Sequence, residues 1–167
     1  TATVTVDYLP SASLATTTDV ALTINPIPTP LPGTDAPATA PTITIPPPGS
    51  SGGFWDAGGA MAAADCGQNS GVPCQLYKFA LADSTTLDMT LEGSNAADLG
   101  LYFINADDGT DLDQVCDDLG RDEVPESCEL VFGPGNILMS VVSFGPFYPE
   151  NDPNPDWISV RISNPAP

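Results

Sequence analysis

Residues 105–123, NADDGTDLDQVCDDLGRDE, gather Asp107, Asp108, Asp111, Asp113, Asp117, Asp118, Asp122 and Glu123 into one stretch. Carboxylates at this density suit a hard cation such as Ca²⁺, which takes about six to eight oxygen ligands. Asp107, Asp108, Asp111, Asp113, Asp117 and Asp118 are the candidate ligands, and calcium is the one cofactor the sequence suggests. The spacing is not that of an EF-hand. Counted from Asn105, the glycine falls one position early, and Cys116 stands where the closing glutamate belongs. The competing reading is a β-turn followed by a solvated acidic loop, with Arg121 offsetting part of the repulsion.

Four cysteines, Cys66, Cys74, Cys116 and Cys128, could bind metal or pair. None lies in a CxxC motif, and the chain has no histidine, so a zinc site would need all four thiolates at unusual spacings. Disulfides are the better reading and imply an oxidising compartment, extracellular or at the cell surface. Three pairings are possible. The local ones, Cys66–Cys74 and Cys116–Cys128, are expected because each pair flanks a loop rich in Gly, Pro, Asp or Asn. Closing loops this short stabilises by roughly 2.5–3 kcal/mol each in the chain-entropy model.

The missing histidine also removes the commonest general base and the Ser-His and Cys-His nucleophile pairs. Lys78 could activate a serine, but it lies in QLYKFAL, which reads as an ordinary strand. With 22 acidic residues, carboxylate pairs suited to a glycosidase arise by composition alone. No catalytic residue is therefore assigned, and the chain is read as non-enzymatic. Phe54, Trp55, Phe144, Phe147, Tyr148 and Trp157 could form an aromatic platform, although such residues more often fill or cap a core. The proline-rich stretch 145–155, GPFYPENDPNP, is the candidate recognition loop, through Phe147 and Tyr148.

Only three residues are basic, and the formal charge is −19. Such a surface repels phosphate backbones and anionic headgroups, which argues against nucleic acid as a partner. No apolar run approaches the roughly 18 residues a membrane helix needs. The chain opens at Thr1 without a signal-peptide pattern, as expected after removal of a leader or excision of a fragment.

The elements that must position these residues are strands. Tyr77, Phe79 and Leu81 share one face; Leu87, Met89 and Leu91 alternate with Asp88, Thr90 and Glu92; Ile158, Val160 and Ile162 alternate with Ser159, Arg161 and Ser163. Residues 99–104 are apolar on both faces, and 127–132 and 137–144 supply two more strands. Turns rich in Gly, Pro, Asn and Asp separate them. The pattern predicts an all-β fold, an antiparallel β-sandwich spanning 54–167. Before it, residues 25–53 form a Pro/Gly-rich extended arm, and residues 1–24 carry two strand-like runs. A rise of about 3.1 Å per residue in polyproline II geometry gives a reach of roughly 75 Å for 25 residues.

The order of these motifs resembles the bacterial pre-peptidase C-terminal domain over about residues 75–163. Tyr77-Lys-Phe79 is followed by STTLDMTLEGS, then Ala97-Asp-Leu-Gly-Leu-Tyr102 resembles the family's D-x-D-L-x-L-Y strand, and Asn105-Ala-Asp-Asp-Gly109 its D-x-D-G turn. Glu126-Ser-Cys-Glu-Leu130 and Phe132-Gly-Pro-Gly135 fall where the family leads into its next strands. Ile137-Leu-Met-Ser lacks the usual tyrosine, and the cysteine loops are additions. The resemblance implies a secreted, jelly-roll-like sandwich without catalytic residues, generally an appendage of hydrolases or part of a surface protein.

Two functions follow as expectations. In the first, the chain is a subunit of an extracellular filament, a head-to-tail homopolymer in which the arm adds strands to a neighbouring copy. Val4, Val6, Val20, Leu22, Ile24, Ile43 and Ile45 would form that subunit interface. In the second, it is an accessory domain of a larger secreted hydrolase, and residues 1–24 end a preceding immunoglobulin-like module.

Overall fold

A computed structural model of the chain describes residues 29–56, 62–63, 73–93, 98–117, 125–144 and 157–166, and the statements below concern these. Period-2 alternation sends every other side chain of a strand to the same side. Ten strands result. They are β1 (Thr29–Pro30), β2 (Ser50–Asp56), β3 (Ala62–Ala63), β4 (Pro73–Leu81), β5 (Thr85–Gly93), β6 (Leu99–Asn105), β7 (Asp111–Cys116), β8 (Glu126–Phe132), β9 (Gly135–Ser143) and β10 (Ile158–Asn164). One sheet runs β1-β2-β10-β5-β8 and the other β3-β4-β9-β6-β7. All pairings are antiparallel except β1 with β2. The fold is the expected β-sandwich.

The alternating residues of β4, β5 and β10 named above all point into one core, together with Phe103 and Phe132. Each such burial is worth about 1.5–3 kcal/mol. Phe132 meets Phe79 and Phe103 edge-on, at centroid distances of 5.7 and 5.0 Å, joining the two sheets at mid-core.

Two stretches fold differently from expectation. The Gly-Ser patch at 50–53, expected to end the arm, is the first half of β2, so the boundary placed between 53 and 54 falls inside a strand. Gly53 faces Arg161 of β10, and a Cβ there would lie 2.3 Å from the Val160 carbonyl oxygen. Glycine is required at that point by close backbone approach, not by turn formation. Likewise Asp111–Cys116, expected within an acidic loop, forms β7, an edge strand whose charges are spent on solvent. Residues 1–24, with their two expected strands, lie outside the described residues.

Candidate functional site: the arm and its seat

Prolines fix φ and carry no N–H, so a proline-rich segment can pair with a sheet edge only intermittently. The arm does this at both sheets of its own chain. Thr29–Pro30 lies beside β2, in register with Phe54 and Trp55, and the Leu31 amide donates to the Trp55 carbonyl at 2.9 Å. The chain then crosses to β4. Thr34 and Leu76 exchange amide-to-carbonyl bonds of 3.4 and 2.8 Å. After one 3-10 turn at Pro37–Thr39, Lys78 donates to the Pro41 carbonyl at 2.9 Å and accepts from the Ile43 amide at 2.7 Å.

The Thr42-Ile-Thr-Ile45 island alternates as a strand should. Ile43 is 5% exposed within the core and Ile45 packs against it, while Thr42 and Thr44 face solvent. Ile43 and Ile45, expected at a subunit interface, here bury their apolar surface in the sandwich of their own chain. Val4, Val6, Val20, Leu22 and Ile24 lie outside the described residues.

The arm returns to β2 through Pro46–Gly49. Asn164, at the end of β10, donates its Nδ2 to the Pro46 carbonyl at 2.8 Å, and its own carbonyl accepts the Gly49 amide at 2.7 Å. Gly49 has φ +78°, a conformation that glycine reaches without steric cost.

Where the arm crosses between sheets it meets Asp56. This carboxylate is 3% exposed, and its Oδ2 accepts the Gly33 amide at 2.8 Å and the Tyr77 hydroxyl at 3.1 Å. Tyr77 also contacts the Gln75 amide at 3.0 Å and packs on Phe54 at a ring distance of 4.4 Å. Burial first, then the neighbouring Asp56 carboxylate, pushes the Tyr77 hydroxyl far above its ordinary range. The phenol therefore stays a neutral donor. Sequence patterning missed Asp56, Gly33 and Asn164, because their partners are distant in the chain and no local motif marks them.

The opposite flank is closed covalently. Cys116 on β7 pairs with Cys128 on β8, joining the edge strands of the two sheets. Beside it, Gln114 Oε1 accepts the Val131 amide at 3.1 Å and caps one edge donor of β8. The expected Cys116–Cys128 bond is thus found. Cys74 is also disulfide-bonded, and Cys66 lies outside the described residues.

The candidate calcium ligands are occupied separately. Asp107 accepts both bonds from the Asn136 side chain, Asp108 accepts the amide and hydroxyl of Thr110, and Asp111 accepts the Asp113 amide. Asp117 receives the Tyr102 hydroxyl. Among the described residues no group of three or more carboxylates converges to hold a metal. The described part of this stretch is a hydrogen-bonded turn leading into β7; Asp118 lies outside the described residues. The Thr110 bonds hold the Asp108 carboxyl below its usual range.

The aromatic residues divide. Phe54 is core, whereas Tyr102 and Phe144 meet edge-on at 6.1 Å on the outer face of the second sheet. Gly100 makes room there, since a Cβ would lie 3.0 Å from Tyr102 and 3.3 Å from Phe144. Trp157, just before β10, is 41% exposed. The structure does not gather these into one platform, and Phe147 and Tyr148 lie outside the described residues.

No family model and no curated protein matches the chain. Among solved structures it matches the crystal structure of the pre-peptidase C-terminal domain of a collagenase from Bacillus anthracis. The two are 11% identical, with a TM-score of 0.45, over 74% of this chain and 92% of that one. That domain is of the kind the sequence resembles.

Proposed function

We propose that the chain is a non-catalytic structural module of a secreted or cell-surface protein. The observation that carries this reading is the arm: residues 29–49 brace one flank of the sandwich while a disulfide braces the other. A fold so closed is suited to holding shape, binding or positioning. The chain's lack of histidine and the separate occupation of its carboxylates favour placing any chemistry elsewhere. Disulfides support an oxidising, extracellular setting. The sequence resemblance over residues 75–163 supports a role as an accessory domain of a larger secreted hydrolase. Purified chain is expected to unfold in one cooperative transition and to leave gelatin, casein, and nitrophenyl esters and glycosides intact. Turnover above the blank, lost on unfolding, would overturn the reading.

A second reading, a filament subunit, is favoured by one observation. Among the described residues β1 is the rim strand of its sheet, and an edge strand is where strand addition takes place. Val4, Val6, Val20, Leu22 and Ile24 alternate as an added strand would. Negative-stain microscopy of the full chain is expected to show filaments that vanish on deletion of residues 1–28. Dispersed particles in every condition, calcium included, would sink this second reading.

A further inference from the structure

We propose that residues 29–45 are an exchangeable strand, and that a second copy of this chain can take them up at the same seat on β2 and β4. The inference rests on the reading of the chain as a structural module. It differs from the filament reading in that the arm is exchanged reciprocally, at the seat it already occupies on its own chain, instead of adding strands head-to-tail to a free edge.

The seat's occupant is identified by the contacts already described. The arm is held by main-chain bonds at Leu31, Thr34, Pro41 and Ile43, by the Asp56–Gly33 bond, and by burial of Ile43. The arm of an identical chain offers the same groups in the same order. Self-docked and exchanged states share every one of these contacts, so the hinge and the protein concentration decide between them.

The hinge is Pro46-Pro47-Pro48-Gly49. In the self-docked state it turns sharply. The Ser50 amide and hydroxyl both donate to the Pro47 carbonyl, at 3.1 and 2.6 Å, and Gly49 adopts φ +78°. Consecutive prolines favour the extended polyproline II form, which opposes that turn. An arm that opens stays stiff and projects outward, lowering its effective concentration at its own seat and raising its reach to another. Asn164 is the counterweight, since both of its bonds, to Pro46 and Gly49, exist only when the hinge is turned.

Reciprocal exchange between two copies closes the contact and gives a two-fold dimer. The test uses Thr42 and Lys78, which are register partners across the seat with outward side chains. In full-length chain, the double variant T42C/K78C is expected to close an in-chain disulfide under mild oxidation. In a mixture of the single variants T42C and K78C, an exchanged arm holds the two thiols in register, so the T42C–K78C bond should form in excess of the T42C–T42C and K78C–K78C bonds that chance collision gives. Incubation at high concentration is expected to give this mixed dimer, identified by peptide mapping. Gly49→Ala strains the hinge without a steric clash, because among the described residues its Cβ would meet only Ala166, at 3.8 Å. It is expected to raise the mixed-dimer fraction about tenfold, since a left-handed turn then disfavours self-docking. In-chain closure of the double variant with no excess of mixed dimer at any concentration, in either background, overturns the proposal. That outcome leaves the module's lack of turnover untouched, so the two readings fail separately.

Discussion

Gly33 and Tyr77 meet at a single oxygen. Both donate to Asp56 Oδ2, and the contact is so close that a Cβ on Gly33 would lie 2.7 Å from the Tyr77 hydroxyl and 2.9 Å from Gln75 Cβ. The arm is pinned where a buried carboxylate would otherwise lose a partner. Gly33→Ala is expected to cost about 1–3 kcal/mol by overpacking, measured by urea denaturation. Proteolytic cleavage within 29–45 should rise in parallel. Unchanged stability and unchanged cleavage would remove Gly33 from the latch.

Gly53 offers a harsher version of the same test. The clash there is with the Val160 carbonyl, backbone that cannot rotate away. Gly53→Ala is expected to separate β2 from β10 and to cost more than Gly33→Ala, about 3 kcal/mol or above. Thermal unfolding by circular dichroism reads the difference, and the reverse ranking would contradict the account of β2.

Removing the covalent clasp affects the other flank. The double variant Cys116→Ser/Cys128→Ser should lose about 3 kcal/mol, chiefly by freeing the unfolded chain. Amide exchange should quicken in β7 and β8 while β4 and β9 stay protected. Equal loss of protection in all four strands would mean that the disulfide supports the whole core.

Ser143 is fully buried, and among the described residues its hydroxyl has no hydrogen-bond partner. An unpaired buried hydroxyl costs about 1–3 kcal/mol. Ser143→Ala is therefore expected to leave stability unchanged or raise it by up to about 1 kcal/mol. A loss above that would reveal a partner for the hydroxyl.

Alkaline pH should destabilise the fold through its phenols. Burial and adjacent carboxylates raise both the Tyr77 and Tyr102 hydroxyls, the second beside Asp117 and Asp98. A raised folded value means that the unfolded chain releases the proton first. The stabilisation is thus complete below the ordinary tyrosine value of about 10 and is lost as pH rises above it. Ultraviolet titration of native protein at about pH 11 should leave both phenols protonated, with their ionisation appearing only on unfolding. Asp108 acts in the opposite sense, because its lowered value withdraws support as pH falls below the ordinary aspartate value of about 3.9.

Local alternation made most strands legible. Tyr77-Lys-Phe79, Leu87 to Leu91 and Ile158 to Ile162 each bury one face, and a period of two is visible without any neighbour. β2 is hidden because Ser51, Gly52 and Gly53 carry no apolar signal; pairing with β10 makes them a strand, and at Gly53 that approach leaves no room for a side chain. β7 was hidden because edge strands carry charge, which reads as loop. The acidic run was read for its count of carboxylates, yet turn geometry sends Asp107, Asp108 and Asp111 to separate donors.

By itself the sequence determined an all-β sandwich, a chain without histidine-based catalysis, and a proline segment unable to form a helix or inner strand. Those properties follow from side-chain type and local backbone freedom. Only the tertiary structure decided where the arm docks and what holds it. Asp56 is distant in sequence from Gly33 and Tyr77, as Asn164 is from Pro46, and no periodicity can report a hydrogen bond between residues that meet only after the sheets have formed.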